Sequence, residues 1–429
     1  MKKKHILTIL CIIVVQSLTA QGFKISGELR PRAEVRNGYK HLMLPGSEMA
    51  FFVSQRSRIN FDYDKEKLKL KFTVQNIRVW GDAATLSLAD KNGFAMHESW
   101  VNYQFSDIFG IKVGRQEISY DDQRIFGAVG WAQQARSHDA ALLIFDLKTK
   151  GRIETGFAYN ANRESLRHEN YALNQYKSLQ YLWYNVKLKD YMTLSVLALN
   201  NGLPYLKDSI SQKIINSQTL GGRLTFKKKK LQSNGAFYYQ TGNLPNIGST
   251  GTIYQSAYYA ALDFSYQITN HFFAGLGTEI ISGSDLGSTK NQNNAFNPYY
   301  GTNHKFNGLM DYFYVGNHIN SVGLIDIALP LKFKKDKSII SLTGHYFMAE
   351  GKIMDNGQTR SPDLGTEIDL TFAYTFNSTF KINAGYSQIF ASQNLEFLTG
   401  GDRQLTNNWG WLMLTFKPVF LNHTEENKQ

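Results

Sequence analysis

The residue type whose placement points to chemistry is arginine. Twelve of the 15 arginines precede residue 170, so guanidinium groups are concentrated in the first part of the chain. Arg30, Arg32 and Arg36 fall on one parity of an alternating segment, and Arg56 and Arg58 fall on one parity of the next, with Asn60 and Asp62. If the two segments are neighbours, five guanidiniums form one patch. Fixed positive charge lowers the barrier to carboxylates and raises it to cations. A guanidinium also grips a carboxylate through two parallel hydrogen bonds, which lysine cannot do. Arg78, Arg115, Arg124 and Arg136 extend such a patch, and Glu28, Asp62, Asp82, Asp122 and Asp139 are the acids that would balance it. The competing reading is that the arginines pair with Glu28, Glu34, Asp62, Glu98 and Glu117 and only hydrate a wall.

Other chemistry is sparse. Ser137, His138 and Asp139 are consecutive, and on a strand consecutive side chains alternate faces, so they cannot form a relay. His304 and His318 are too isolated to argue a metal site. No phosphate-binding glycine loop occurs. The sequence therefore calls for no catalytic residue, metal or cofactor.

The elements that would hold the arginines are strands. From Phe23 to Arg36 the chain alternates without a slip, with Phe23, Ile25, Leu29, Ala33 and Val35 opposite Lys24, Ser26, Glu28, Arg30, Arg32, Glu34 and Arg36. Eighteen such segments are expected, at 23–36, 51–63, 67–80, 94–105, 110–118, 136–147, 151–160, 177–188, 191–200, 217–226, 231–241, 253–267, 271–281, 319–333, 337–349, 364–376, 379–390 and 408–417. Most have the length that crosses a bilayer at a barrel tilt. Their connections alternate tight polar turns with long loops at 81–93, 118–135, 161–176, 201–216, 282–318 and 391–407. Short turns on one side and long loops on the other are the signature of an outer-membrane barrel, with the turns in the periplasm. Loop 282–318 is the longest and carries Asn, Tyr and Gly. It either folds inward to narrow a pore or stays on the surface. Trp100, Trp131, Tyr181, Trp183 and Trp411 are expected in interfacial girdles or in the barrel wall, with stacking on sugar rings as the alternative.

Composition agrees with this class. A hydrophobic fraction of 42% and an aromatic fraction of 14% exclude disorder, and a mean hydropathy of -0.34 excludes only helical membrane proteins. Residues 1–20 read as a secretory signal, with Lys2, Lys3 and Lys4 ahead of a short apolar run, and 21–429 as one barrel domain. Cys11 is the only cysteine, so no disulfide is possible within the chain. Lys227–Lys230 is read as a solvated turn and not as a nucleic-acid site.

Several segments resemble the alginate-export family of outer-membrane porins. The most specific is Val113-Gly114-Arg115-Gln116-Glu117-Ile118, followed by Asp122-Gln123-Arg124 and Arg136-Ser137-His138-Asp139-Ala140. Val74–Asp82, Phe306–Asp311 with Gly316-Asn317-His318, and Leu364–Leu370 extend the match in order along the chain. The resemblance implies an eighteen-stranded barrel and passive passage of an anionic uronate polymer through an arginine-rich lumen. The expected partners are outer-membrane lipid, the barrel-assembly machinery and an anionic saccharide, with a monomer favoured over a trimer. A general porin of weak selectivity and a non-conducting surface barrel are the alternatives.

Overall fold

The computed structural model describes residues 22–87, 91–171, 175–208, 211–246, 250–288 and 291–423. The signal read at 1–20 lies outside the described residues. Eighteen strands close into one antiparallel barrel. They are β1 (Phe23–Asn37), β2 (Ala50–Lys65), β3 (Leu68–Val79), β4 (Ala95–Gln104), β5 (Phe109–Gln116), β6 (His138–Asp146), β7 (Arg152–Tyr159), β8 (Ser178–Lys189), β9 (Met192–Leu206), β10 (Gln212–Lys228), β11 (Leu231–Pro245), β12 (Thr252–Gln267), β13 (Phe272–Ile281), β14 (Leu324–Lys335), β15 (Ser338–Met348), β16 (Asp363–Thr375), β17 (Phe380–Ala391) and β18 (Asn407–Phe416). Each pairs with the next, and β1 pairs with β18, which leaves no open edge. A further strand, β19 (Val419–His423), turns back to pair with Phe23–Ser26 and completes the seam.

Alternation sorts the faces as a barrel requires. In β12, Gln255, Ala257 and Tyr259 are buried inward, while Tyr254, Tyr258, Leu262, Phe264 and Tyr266 are exposed on the lipid side. One loop is shorter than the sequence suggested. Asn201–Leu206 and Gln212–Ser217 stay in register, so β9 and β10 continue as a hairpin and only 207–211 remains as the connection.

The core of the molecule lies inside the barrel. Phe126, Phe296, Tyr312, Phe313, Tyr314 and Trp409 are almost wholly buried, and the first five belong to connections, not to strands. Segment 117–137 and the described residues 282–288 and 291–323 fold into the lumen. Burying a large side chain is worth about 1.5–3 kcal/mol, so this many aromatic groups hold both segments inside. Trp131, Tyr181, Trp183 and Trp411 pack against this inner core and so fill the lumen instead of forming a girdle. Trp183 stacks on Tyr120, with centroids 4.6 Å apart, and Trp131 meets Trp411 edge-on at 4.7 Å.

Candidate solute path

The two inward segments meet inside the barrel. Gly127 N donates to the Tyr300 carbonyl at 2.9 Å, Thr302 N donates to the Gln123 carbonyl at 2.9 Å, and Lys305 Nζ donates to the Asp122 carbonyl at 2.8 Å. Together they form a bridge from one wall to the other. Their backbone groups sit away from the sheet ladder, so each buried carbonyl needs another donor.

On the β1–β2 wall those donors are the clustered arginines. Arg30 and Arg56 are register partners, and Arg32 faces Ser54. Arg30 Nη1 donates to the Gly130 carbonyl at 2.7 Å, and its Nη2 to the Trp131 and Ala132 carbonyls at 3.1 and 3.3 Å. Arg30 Nε and Nη2 also reach Gln133 Oε1, at 3.1 and 2.9 Å. Arg32 Nη1 donates to the Trp131 carbonyl at 2.7 Å, and its guanidinium lies 4.0 Å from the centroid of the Trp131 ring. Arg56 Nη1 reaches the Gln133 carbonyl at 3.3 Å. On the other face of Trp131 stacks His304, 4.6 Å between centroids.

Acids divide the remaining donors. Glu28 accepts from Arg56 Nε at 2.7 Å, and Glu34 takes Arg32 at 2.8 Å and Arg36 at 2.9 Å. Arg58 Nε donates to Gln75 Oε1 at 2.9 Å, while its Nη2 is buried without a partner. The five expected guanidiniums therefore share one inward patch, with three of them fastened to segment 117–137.

The far wall holds the bridge by the opposite charge. Arg124 donates to Glu279 Oε2 on β13 at 2.9 Å and to Asn307 Oδ1 at 2.8 Å. Asn307 Nδ2 donates to Glu279 at 2.8 Å and to Asp326 on β14 at 3.2 Å. Leu309 N and Met310 N donate to Asp369 at 3.2 Å and Glu367 at 2.8 Å, both on β16. Gly308 adopts φ +82°, and a Cβ there would lie 2.6 Å from Glu367 Oε2, so only glycine lets the backbone approach this closely. Gly308→Ala is expected to lift the segment from the acidic wall, seen as new proteolytic cleavage within 282–323 while the barrel still resists unfolding in detergent.

Three of the arginines placed with the patch stand elsewhere. Arg124 is across the lumen, because segment 117–137 carries it there. Arg115 shares the outward parity of Ile111 and Val113 and pairs with Asp139 at 2.8 Å, so neither lines the lumen. Arg78 shares the strand face of Asn76 and of its register partner Gln55, opposite to Arg56 and Arg58, yet it borders the same long-loop cavity as Arg32 and Arg36. Of the balancing acids, Asp62 is on the inward parity of β2 opposite Lys24. Asp122 pairs with Arg223. Asp82 accepts from Val79 N at 3.1 Å and Asn92 Nδ2 at 2.6 Å at the loop end.

Arg136, like Arg30 and Arg58, has no ion pair among the described residues, and it differs from them in bordering two cavities. Its Nη1 donates to the Gly301 carbonyl at 3.1 Å, and among the described residues no carboxylate pairs with it. Burial pulls its pKa below the usual arginine value. It borders two cavities on the long-loop side of the bridge. One, of about 650 Å³, is lined by Arg32, Arg36, Lys40 and Trp131, with Glu34 and Asp82. The other, of about 900 Å³, is lined by His138, Tyr176, Tyr300, Leu203 and Pro245, with Asp285. A third, of about 570 Å³, opens on the short-turn side and is lined by Asp122, Glu279, Asp326 and Asp369 as well as Arg223 and Lys332. The sequence named Arg136 but carried no sign that it would border two cavities; it weighed His304 only as a metal ligand, placed Asn307 only within a family-like segment, and did not single out Gln133.

Among the described residues one group has metal-ligand chemistry, His97, Glu98 and Glu117. A register slip between Thr73 and Val74 places consecutive His97 and Glu98 both inside. Each already has protein partners: His97 reaches Glu117 at 2.8 Å and Ser137 Oγ at 3.1 Å, and Glu98 takes Lys71 at 2.7 Å and Trp100 Nε1 at 2.9 Å. Ser137, His138 and Asp139 turn to three separate partners, His97, Tyr176 and Arg115.

A search of curated proteins found no match. Among solved structures, Acinetobacter baumannii OccAB4 is similar, with a TM-score of 0.62 at 12% identity, covering 94% of this chain and 99% of that one. Pseudomonas aeruginosa OpdL gives 0.61 at 11% identity, and Pseudomonas aeruginosa OpdK with vanillate gives 0.59 at 11%, each covering 93% of this chain and 99% of the other. At these identities the likeness is one of fold, an outer-membrane barrel. The alginate export family model matches residues 36–396, from the end of β1 past β17. The chain belongs to the alginate export family and is an outer-membrane channel.

Proposed function

We propose that the barrel passes anionic solutes passively, of the class of acidic oligo- and polysaccharides, along the arginine-bearing side of the bridge, with no chemical step and no cofactor. The observation that carries this reading is Arg136, a guanidinium without a carboxylate partner among the described residues at the border of both long-loop cavities. An uncompensated charge in a confined space raises the local concentration of carboxylates. The carboxylate of vanillate, held by OpdK, is an anion of the kind this site would attract.

The test is block by uronate oligomers in planar bilayers. Arg136→Gln is expected to weaken block by roughly tenfold, the loss of about 1.4 kcal/mol of charge-assisted bonding. Arg115→Gln, on the outward face, should leave it unchanged. Equal block in all three proteins would defeat the reading. A weakly selective pore is supported by one feature, the acids of the short-turn cavity, and it predicts a reversal potential near zero.

A further inference from the structure

The two long-loop cavities that meet at Arg136 differ in chemistry. The smaller is ringed by charge, with Arg32, Arg36, Lys40 and Arg78 among its lining residues. The larger, of about 900 Å³, has among the described residues Arg136 as its one guanidinium or ammonium and Asp285 as its one carboxylate. Its size falls in the range of about 300–1,000 Å³ common to small-molecule sites. Asp285 already accepts from Lys352 N at 2.9 Å. Much of the remaining wall is apolar. Leu203 continues the inward parity of Leu199 and Asn201 on β9. Leu244 and Ile253 face each other as register partners on β11 and β12, on the parity of the inward Gln255. Pro245 and Ile319 add to this collar. Inward positions of a water-filled barrel are polar as a rule, so the collar is ill matched to a hydroxylated polymer. His138 lines the same cavity and is 4% exposed. Its Nδ1 meets the Tyr176 hydroxyl at 2.9 Å, and its Nε2 is buried with no partner among the described residues. A buried nitrogen left unpaired is costly and uncommon.

We infer that the larger cavity is a binding site for small monocarboxylic acids with an apolar body, of the aryl or branched acyl class. Arg136 holds the carboxylate with His138 as a second contact, and the body lies against Leu203, Leu244 and Ile253. This rests on the reading of Arg136 as an anion contact and adds to it a second class of solute. One guanidinium matches one carboxylate, and removal of the body from water supplies the rest of the affinity. Because Arg136 borders both cavities, the bound acid and a uronate in the smaller cavity compete for the same N–H groups.

The experiment is calorimetric titration of the full-length mature chain in detergent with 4-tert-butylbenzoate, with binding to micelles alone subtracted. Glucuronate carries the same charge on a hydroxylated body, and 4-tert-butylbenzamide carries the same body without charge. The parent should bind the acid more tightly than either by about tenfold or more. Leu203→Asn with Ile253→Asn should weaken the acid by about tenfold and leave block by uronate oligomers in planar bilayers unchanged. Arg136→Gln should bring the acid down to the affinity of the amide. In the parent, excess acid should relieve uronate block. Equal affinity for the acid, glucuronate and the amide, or an affinity for the acid that neither variant moves, would overturn the proposal, and so would uronate block that the acid does not relieve. Uronate block is read separately: block without preference for the acid sinks this inference alone, and tight binding of the acid without block sinks only the polysaccharide reading.

Discussion

Replacing Arg30 and Arg56 together by Met should enlarge the single-channel conductance and make it noisy. A patch whose only task is to attract anions would lose selectivity on this change and keep its conductance. The structure predicts otherwise, because these side chains hold the carbonyls of Gly130–Gln133. A hydrogen bond to a charged group contributes about 1.5–3 kcal/mol. Losing two shifts the balance between docked and released segment by roughly two to four powers of ten. Arg30→Lys alone should give an intermediate result, since an ammonium cannot serve three carbonyls and an amide in a fork. Unchanged, quiet conductance in the double variant would show that the bridge does not depend on these anchors.

The second large effect is expected at the opposite anchor. Arg124 is 1% exposed and Glu279 is its ionic partner. Arg124→Met leaves the Glu279 carboxylate inside the lumen with, among the described residues, Tyr259 and Asn307 as its side-chain donors. Removing one member of a buried pair costs about 3–5 kcal/mol. The strands keep their ladder, so the cost falls on the bridge. Limited proteolysis from the loop side should cut within 282–323 in this variant and not in the parent. Adding Glu279→Gln should restore most of the protection, because a neutral amide no longer needs a cation. Failure of this rescue would mean that Arg124 acts through packing on Tyr259 and Phe306 and not through charge.

The two anchors also show what the sequence conveyed. Strands were legible because one face meets lipid and the other a polar interior, and all eighteen expected segments became barrel strands with shifted ends. The arginine faces of β1 and β2 followed from the same alternation. Read through Ile111 and Val113, that alternation would also have turned Arg115 outward. Position within the lumen was not legible, because alternation says nothing about what enters a barrel. The sign lay in the loops themselves: Ile118, Ile125, Phe126 and Trp131 in one, and Phe296, Met310 and Phe313 in the other, are too apolar for connections left in water. Consecutive His97 and Glu98 could not be placed for another reason, since a bulge breaks the period on which the reading depends.

The most direct test of an anion-passing channel is the reversal potential of the purified protein in a planar bilayer under a salt gradient, compared with Arg136→Gln. The parent should be anion-selective and the variant should move toward zero. A parent reversal potential of zero or of cationic sign would contradict the account.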